Sequence, residues 1–200
     1  MIFLALDRFM EQQQCKHTLL HCAPGLIRVY RRLGYSSVET PWATLGAEAL
    51  AAAASGPAAT RVLCGGLPRH AVKGRPGTIV RDSAYILRWW LPAVAALETW
   101  ETADSFAALK RSRGNEEGGR VLADFYAADP AAALGSLSAA LVADGCASLR
   151  VPQWVADAAA VPRSSVSTSV DLGWMVRDVG WSGERPAFGA GHCFWPVDSF

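Results

Sequence analysis

Between Cys15 and Cys22 the chain gathers four side chains of metal-ligand type: Cys15, His17, His21 and Cys22. Thiolate and imidazole together suit zinc. The spacing opposes a shared ion. In a strand, His21 and Cys22 point to opposite faces; in a helix, the two Cys take one face and the two His the other. No metal site is therefore expected. Cys64 with His70, and His192 with Cys193, each pair a nucleophile with a base. No orienting acid or oxyanion donor is legible beside either, and a buried structural Cys is the commoner role. Asp124 and Asp198 are a distant carboxylate pair; Asp124 alternates with Leu122 and Tyr126 on a strand face that either lines a cleft or meets water. The charged run 110–120 has no interleaved aromatic, so it reads as a solvated turn rather than a nucleic-acid patch.

The elements that must carry these groups follow from periodicity. Residues 2–14 read as a helix. Thr18–Cys22 reads as a short strand, and Leu26, Val29, Tyr30 and Leu33 then fall on one helical face closed by Gly34. Residues 36–46 read as irregular because of Pro41 and Gly46, Ala47–Ala54 as a helix, and 61–64 as a strand before a Gly- and Pro-rich linker. Asp82–Leu91 reads as a helix. Ala93–Thr102, Phe106–Arg111 and Arg120–Tyr126 read as an antiparallel meander. Asp129 as cap and Pro130 in the first turn start a helix that Gly145 stops. A strand at 146–151, a helix at 153–160, a loop at 162–168 and a hairpin of 173–179 with 192–197 complete the reading. The fold class is mixed α/β (α+β).

Composition narrows the function. The chain has 200 residues, 51% of them hydrophobic, and a net charge of +1. That is enough for a sizeable core, with no field of one sign to argue for nucleic acid or a membrane surface. No apolar run reaches the roughly 20 residues that span a bilayer. Five Cys without a CxxC pair fit free thiols in a reducing cytoplasm. Eight Trp, among them Trp89, Trp90, Trp100, Trp174, Trp181 and Trp195, suggest either a groove for an apolar or acyl ligand or a surface covered by a partner. The apolar C-terminus suggests a docked tail.

One pattern occurs twice. Helix, Cys15, strand, Pro24 and Leu33-Gly34-Tyr35 recur as helix 130–144, Cys146, strand 147–151, Pro152 and Leu172-Gly173-Trp174. Tyr30-Arg31-Arg32-Leu33-Gly34-Tyr35 also resembles the LYxxLGF pattern of the GNAT acyltransferases. Residues 81–200 resemble a complete GNAT-like domain, from Arg81-Asp82-x-x-Tyr85 through VLADFY to LGWMVRD. The resemblance implies a mostly antiparallel central sheet flanked by helices. It implies that 1–60 is the tail of a first copy, 61–80 a linker and 81–200 a second copy. It implies acyl transfer from acetyl-CoA or another acyl-CoA to a small-molecule amine.

On the same resemblance, Phe125, Tyr126 and Ala127 would bind the acyl-CoA. Tyr30 would be the general acid that protonates the leaving thiolate, or else a helix-face aromatic packed on the sheet. Ser169 would take the tyrosine's place in the second copy. The family's phosphate loop, (Arg/Gln)-x-x-Gly-x-(Gly/Ala), is replaced by Ala127–Ala133, where Asp129 repels phosphate and Pro130 lacks a donor. A catalytically inactive domain that binds a ligand or partner protein, and a homo-oligomer, follow as alternatives.

Overall fold

The computed structural model describes residues 8–13, 15–63, 83–102, 104–112 and 118–179. The pairs Cys64–His70 and His192–Cys193, together with Asp198, Trp181, Trp195 and the C-terminal tail, lie outside these residues.

A helical segment at 8–12 is followed by β1 (His17–His21). Pro24–Leu26 then turns into α1 (Ile27–Arg32). Next come β2 (Ser36–Ser37), β3 (Thr40–Gly46), α2 (Ala47–Ala53) and β4 (Thr60–Val62). Helix α3 covers 83–95 and leads into the meander β5 (Glu98–Thr102), β6 (Ser105–Arg111) and β7 (Gly119–Ala127). Helix α4 (Pro130–Ala143), β8 (Ser148–Pro152), α5 (Gln153–Ala158), β9 (Val166–Asp171) and β10 (Trp174–Asp178) complete the chain.

The described residues form two sheets, a larger one of seven strands in the order β4-β5-β6-β7-β8-β3-β9 and a smaller one of three in the order β1-β10-β2. Among them only β7 and β8 pair in parallel; every other ladder is antiparallel. The expected mixed, mostly antiparallel sheet flanked by helices is what forms. Its core is a continuous apolar layer that includes Leu45, Leu109, Leu122, Leu134, Leu141 and Leu149, each fully buried. Burial of such side chains contributes about 1.5–3 kcal/mol apiece. Helix α4 starts as its sequence dictates: Asp129 caps it, Pro130 opens it, and Gly145 takes a left-handed φ of +71° just past its end.

The topology has a feature that periodicity does not reveal. The middle strand of each terminal trio comes from the other half of the chain. β10 runs between β1 and β2, and β3 runs between β8 and β9. Strand–helix–strand–strand in the first half (β1-α1-β2-β3) is thus repeated by β8-α5-β9-β10, with the last strands exchanged. Thr18–Cys22 and Ala147–Val151 therefore overlap strands in equivalent settings.

Several local expectations are corrected. Residues 36–46 are β2 and β3. Pro41 is tolerated because it is exposed and lies where β3 pairs with β9 alone; the ladder with β8 begins at Trp42. Residues 91–95 are helical and β5 begins at Glu98, since Ala-rich sequence around Val94 favours helix, and Pro92 follows the wider π-helical turn at Ile86–Trp90. Residues 166–168 are strand, hidden by Ser and Thr on an exposed edge. β10 pairs with β1 and β2; the segment 192–197 expected beside it lies outside the described residues. Leu172-Gly173-Trp174 leads into β10, so it does not correspond to Leu33-Gly34-Tyr35, which leads into β2. The residues equivalent to the latter are Ala159-Ala160-Val161, for Gly34 and Ala160 both follow their helix in the left-handed region, at φ +86° and +52°.

Candidate functional site

The sequence-predicted residues fall on two separate sheets. Phe125, Tyr126 and Ala127 end β7, directly before α4. Among the described residues the parallel ladder joins only Gly119–Val121 to Ser148–Arg150, so the two strands part beyond it. A bulge between Leu122 and Asp124, opposite Ala108/Leu109, shifts the register against β6. It breaks the strand's alternation, and Leu122 through Phe125 are all buried. Asp124 is thereby turned inward. Its Oδ2 accepts from Trp90 Nε1 at 2.5 Å and its Oδ1 from the Phe125 N–H at 2.9 Å. The Phe125 ring meets Trp154 of α5, centroid to centroid at 6.3 Å.

The start of α4 is fully engaged. Asp129 Oδ1 accepts from the N–H groups of Ala131 at 2.9 Å and Ala132 at 3.1 Å. The Asp129 carbonyl takes the Ala133 N–H at 3.0 Å, and Pro130 has no N–H to give. A free helix N-terminus attracts phosphate; this one already holds a carboxylate.

Tyr30 lies on α1, against the small sheet. It is half-buried, edge-on to Tyr35 at 5.7 Å, in a cluster built on Cys22, Tyr35 and Met175. Tyr35 OH accepts from Thr18 Oγ1 at 3.0 Å. Counting back from the left-handed residue that closes each helix, the equivalent of Tyr30 in the second half is Ala156, which is buried and has no hydroxyl. Ser169 does not take that place: it sits on the exposed strand β9, where Arg150 Nη2 donates to it at 3.4 Å.

The two His residues of β1 each meet a carboxylate. His17 Nδ1 lies 3.0 Å from Asp178 Oδ1, and His21 Nε2 lies 3.1 Å from Asp171 Oδ2. These partners come from the other half of the chain and were not foreseen. Alternation puts His17 and His21 on one strand face, but only the ladder with β10 supplies Asp178, and Asp171 comes from the end of β9. Burial works to raise the Asp171 pKa, yet the hydrogen bonds from His21 and the Gly173 N–H hold the carboxyl below its usual range. Gly173 makes the approach possible. A Cβ there would lie 2.5 Å from the Cys22 carbonyl oxygen and 2.9 Å from His21 Nε2. The His21 imidazole is thus held by a carboxylate, with the Trp174 ring 4.8 Å away. Cys15 is exposed; Cys22 is buried, which pushes its thiol up, with the Asp171 charge adding to the effect. Among the described residues no three His, Cys, Asp or Glu side chains converge as a metal site.

The tryptophans divide between core and surface. Trp90, Trp100 and Trp174 are buried, whereas Trp89 is 55% exposed. At the opposite end of β7, Glu98 accepts from Arg120 Nε at 2.8 Å and Arg111 Nε at 3.0 Å. Burial would raise the Glu98 pKa, but the two guanidiniums outweigh it and lower the carboxyl. This cluster ties β5, β6 and β7 together.

No protein-family model matches the chain, and no curated protein matches it in sequence. Solved structures do match it in shape. A GCN5-related N-acetyltransferase from Kribbella flavida superposes with a TM-score of 0.61 at 16% identity, covering 88% of this chain and 46% of its own. One from Anabaena variabilis gives 0.58 at 13%, covering 88% and 49%. Eis1 from Mycobacterium abscessus gives 0.54 at 14%, covering 89% and 52%. The chain has the fold of the GCN5-related N-acetyltransferases, and it spans about half the length of these structures. No helix among the described residues is long and apolar enough to cross a membrane.

Proposed function

We propose that this chain works in the transfer of an acyl group from an acyl-CoA to a small-molecule amine, in the cytoplasm. The observation that carries the reading is the reciprocal strand exchange on a GNAT-type frame. It supports two copies of one module, with 1–60 as the tail of the first, 61–80 as the connection and 81–200 as the second. Acyl-CoA would lie along Phe125, Tyr126 and Ala127 of the second module. Tyr30 would serve a second site of the same kind, belonging to the first module. In each transfer the amine nitrogen attacks the thioester carbonyl, the N–C bond forms and the C–S bond breaks. The amine loses its proton to a base, and the thiolate gains one from an acid such as Tyr30. Fold likeness alone is an analogy, so binding is what tests the reading.

Titrating acetyl-CoA into the full chain while following Trp fluorescence and melting temperature tests it. A specific ligand of micromolar affinity raises the melting point by mass action. A flat response up to millimolar ligand overturns the acyl-CoA reading.

A second reading is favoured by one observation, the engagement of the α4 N-terminus by Asp129. In that case the GNAT-like domain is catalytically inactive and binds a ligand or partner protein. Ala156 in the place of the tyrosine agrees with it.

A further inference from the structure

β9 is the last strand of the seven-stranded sheet and pairs with β3 alone. Among the described residues no strand lies along its outer edge. Open edges are usually blunted by charge, proline, a bulge or a cover. Val166-Ser167-Thr168-Ser169-Val170 has no charge, proline or bulge and, among the described residues, no covering strand. It holds no charged residue and no proline, its register with β3 runs unbroken from Leu45↔Val166 to Thr40↔Asp171, and Ser167 through Val170 are exposed. The nearby charges are engaged: Arg150 donates to Ser169, and Asp171 is held by His21.

The five residues also read the same in both directions. A two-fold interface must be complementary to itself. Antiparallel pairing of two β9 strands about Thr168 sets Thr168 opposite Thr168, Ser167 opposite Ser169, and Val166 opposite Val170. Thr–Thr, Ser–Ser and paired β-branched side chains are all suited to such positions. Val170, 54% exposed, and Leu172, 36% exposed, lie at the end of the same edge and would be covered. The geometry points to a homodimer of this chain, formed by antiparallel addition of β9 to β9 of a second copy, so that one sheet runs through both molecules. A second copy is the fitting occupant because a foreign strand needs no palindrome. The inference does not depend on acyl transfer.

Sedimentation equilibrium on the full chain at tens of micromolar should give a mass of twice 21.3 kDa. Thr168→Lys places two ammonium groups opposite each other on the axis. It should return the mass to one copy with far-UV circular dichroism unchanged, and Thr168→Glu should do the same. Mixing the two variants should restore the doubled mass. Ser167→Lys mixed with Ser169→Glu, residues that meet across the axis, gives the same readout if position 168 proves sensitive for folding. A wild-type chain that stays monomeric to millimolar concentration overturns the proposal. So does a Thr168→Lys chain that remains dimeric, or a mixture of opposite charges that fails to associate.

Discussion

Ala160 carries the backbone strain in the second half. Its φ of +52° is the left-handed turn that Gly34 makes, at +86°, at the end of α1. A Cβ there costs roughly 1 kcal/mol or more. Ala160→Gly should therefore stabilise the chain by up to about 1 kcal/mol, the gain in the left-handed turn being partly offset by glycine's greater unfolded freedom. Urea denaturation of both forms checks this; an unchanged or lower midpoint would contradict it. Asp171 gives a pH prediction. Its pKa is lowered on folding, against the opposing effect of burial, by the His21 and Gly173 hydrogen bonds. A carboxyl depressed on folding adds stability above its unfolded pKa and loses it as pH falls through the folded one. The stability gap between wild type and Asp171→Asn should thus be full at neutral pH and close in acid. Melting curves from pH 7 downward would show it, and a gap independent of pH would refute it. At this scale the sequence offered Tyr30 and the His residues but not their partners. A side chain's type is visible in the chain, whereas the acid opposite it depends on which strand lies alongside.

Among the elements, α4 is the most fully written into the sequence. Asp129, Pro130 and Gly145 mark its ends, and all three act as expected. Asp129→Ala removes the carboxylate from the Ala131 and Ala132 N–H groups and should cost about 1 kcal/mol. The same change uncovers those donors. If the cap is what closes the helix end to phosphate, then Asp129→Ala should bind acetyl-CoA more tightly than wild type in the same titration. Equal affinity in both proteins would show that the cap is not the obstacle. β3 and β9 were illegible for opposite reasons. β3 contains a proline that its position in the ladder renders harmless, and β9 lacks the apolar face by which a strand is recognised. The bulge in β7, which buries Asp124 where alternation leaves it on either a cleft or a solvated face, has no sequence signal beyond the buried run it produces.

For the whole molecule, the exchange of β3 and β10 couples the two sheets. Among the described residues β1 and β2 pair only with β10, so the small sheet depends on it, and β9 pairs only with β3, so the far edge of the large sheet depends on a strand from the first half. The two connections, Val38-Glu39 and Leu172-Gly173, are both tied to the small sheet: the Val38 N–H donates to the Trp174 carbonyl at 2.7 Å, and the Cys22 N–H to the Gly173 carbonyl at 3.0 Å. Periodicity shows that strands exist but not which chain segment pairs with which, so the exchanged strands were not legible. The coupling makes a definite claim about opening. Native-state hydrogen exchange should protect amides of β1 and β10, such as Leu19 and Val176, with the same opening free energy as Ala43 and Leu45 of β3, since neither trio opens without disturbing the other. Gly173→Ala drives a Cβ against the Cys22 carbonyl and should lower both sets together. If the variant weakened β1 and β10 while Ala43 and Leu45 kept their wild-type protection, the two sheets would be independent units joined only by covalent chain.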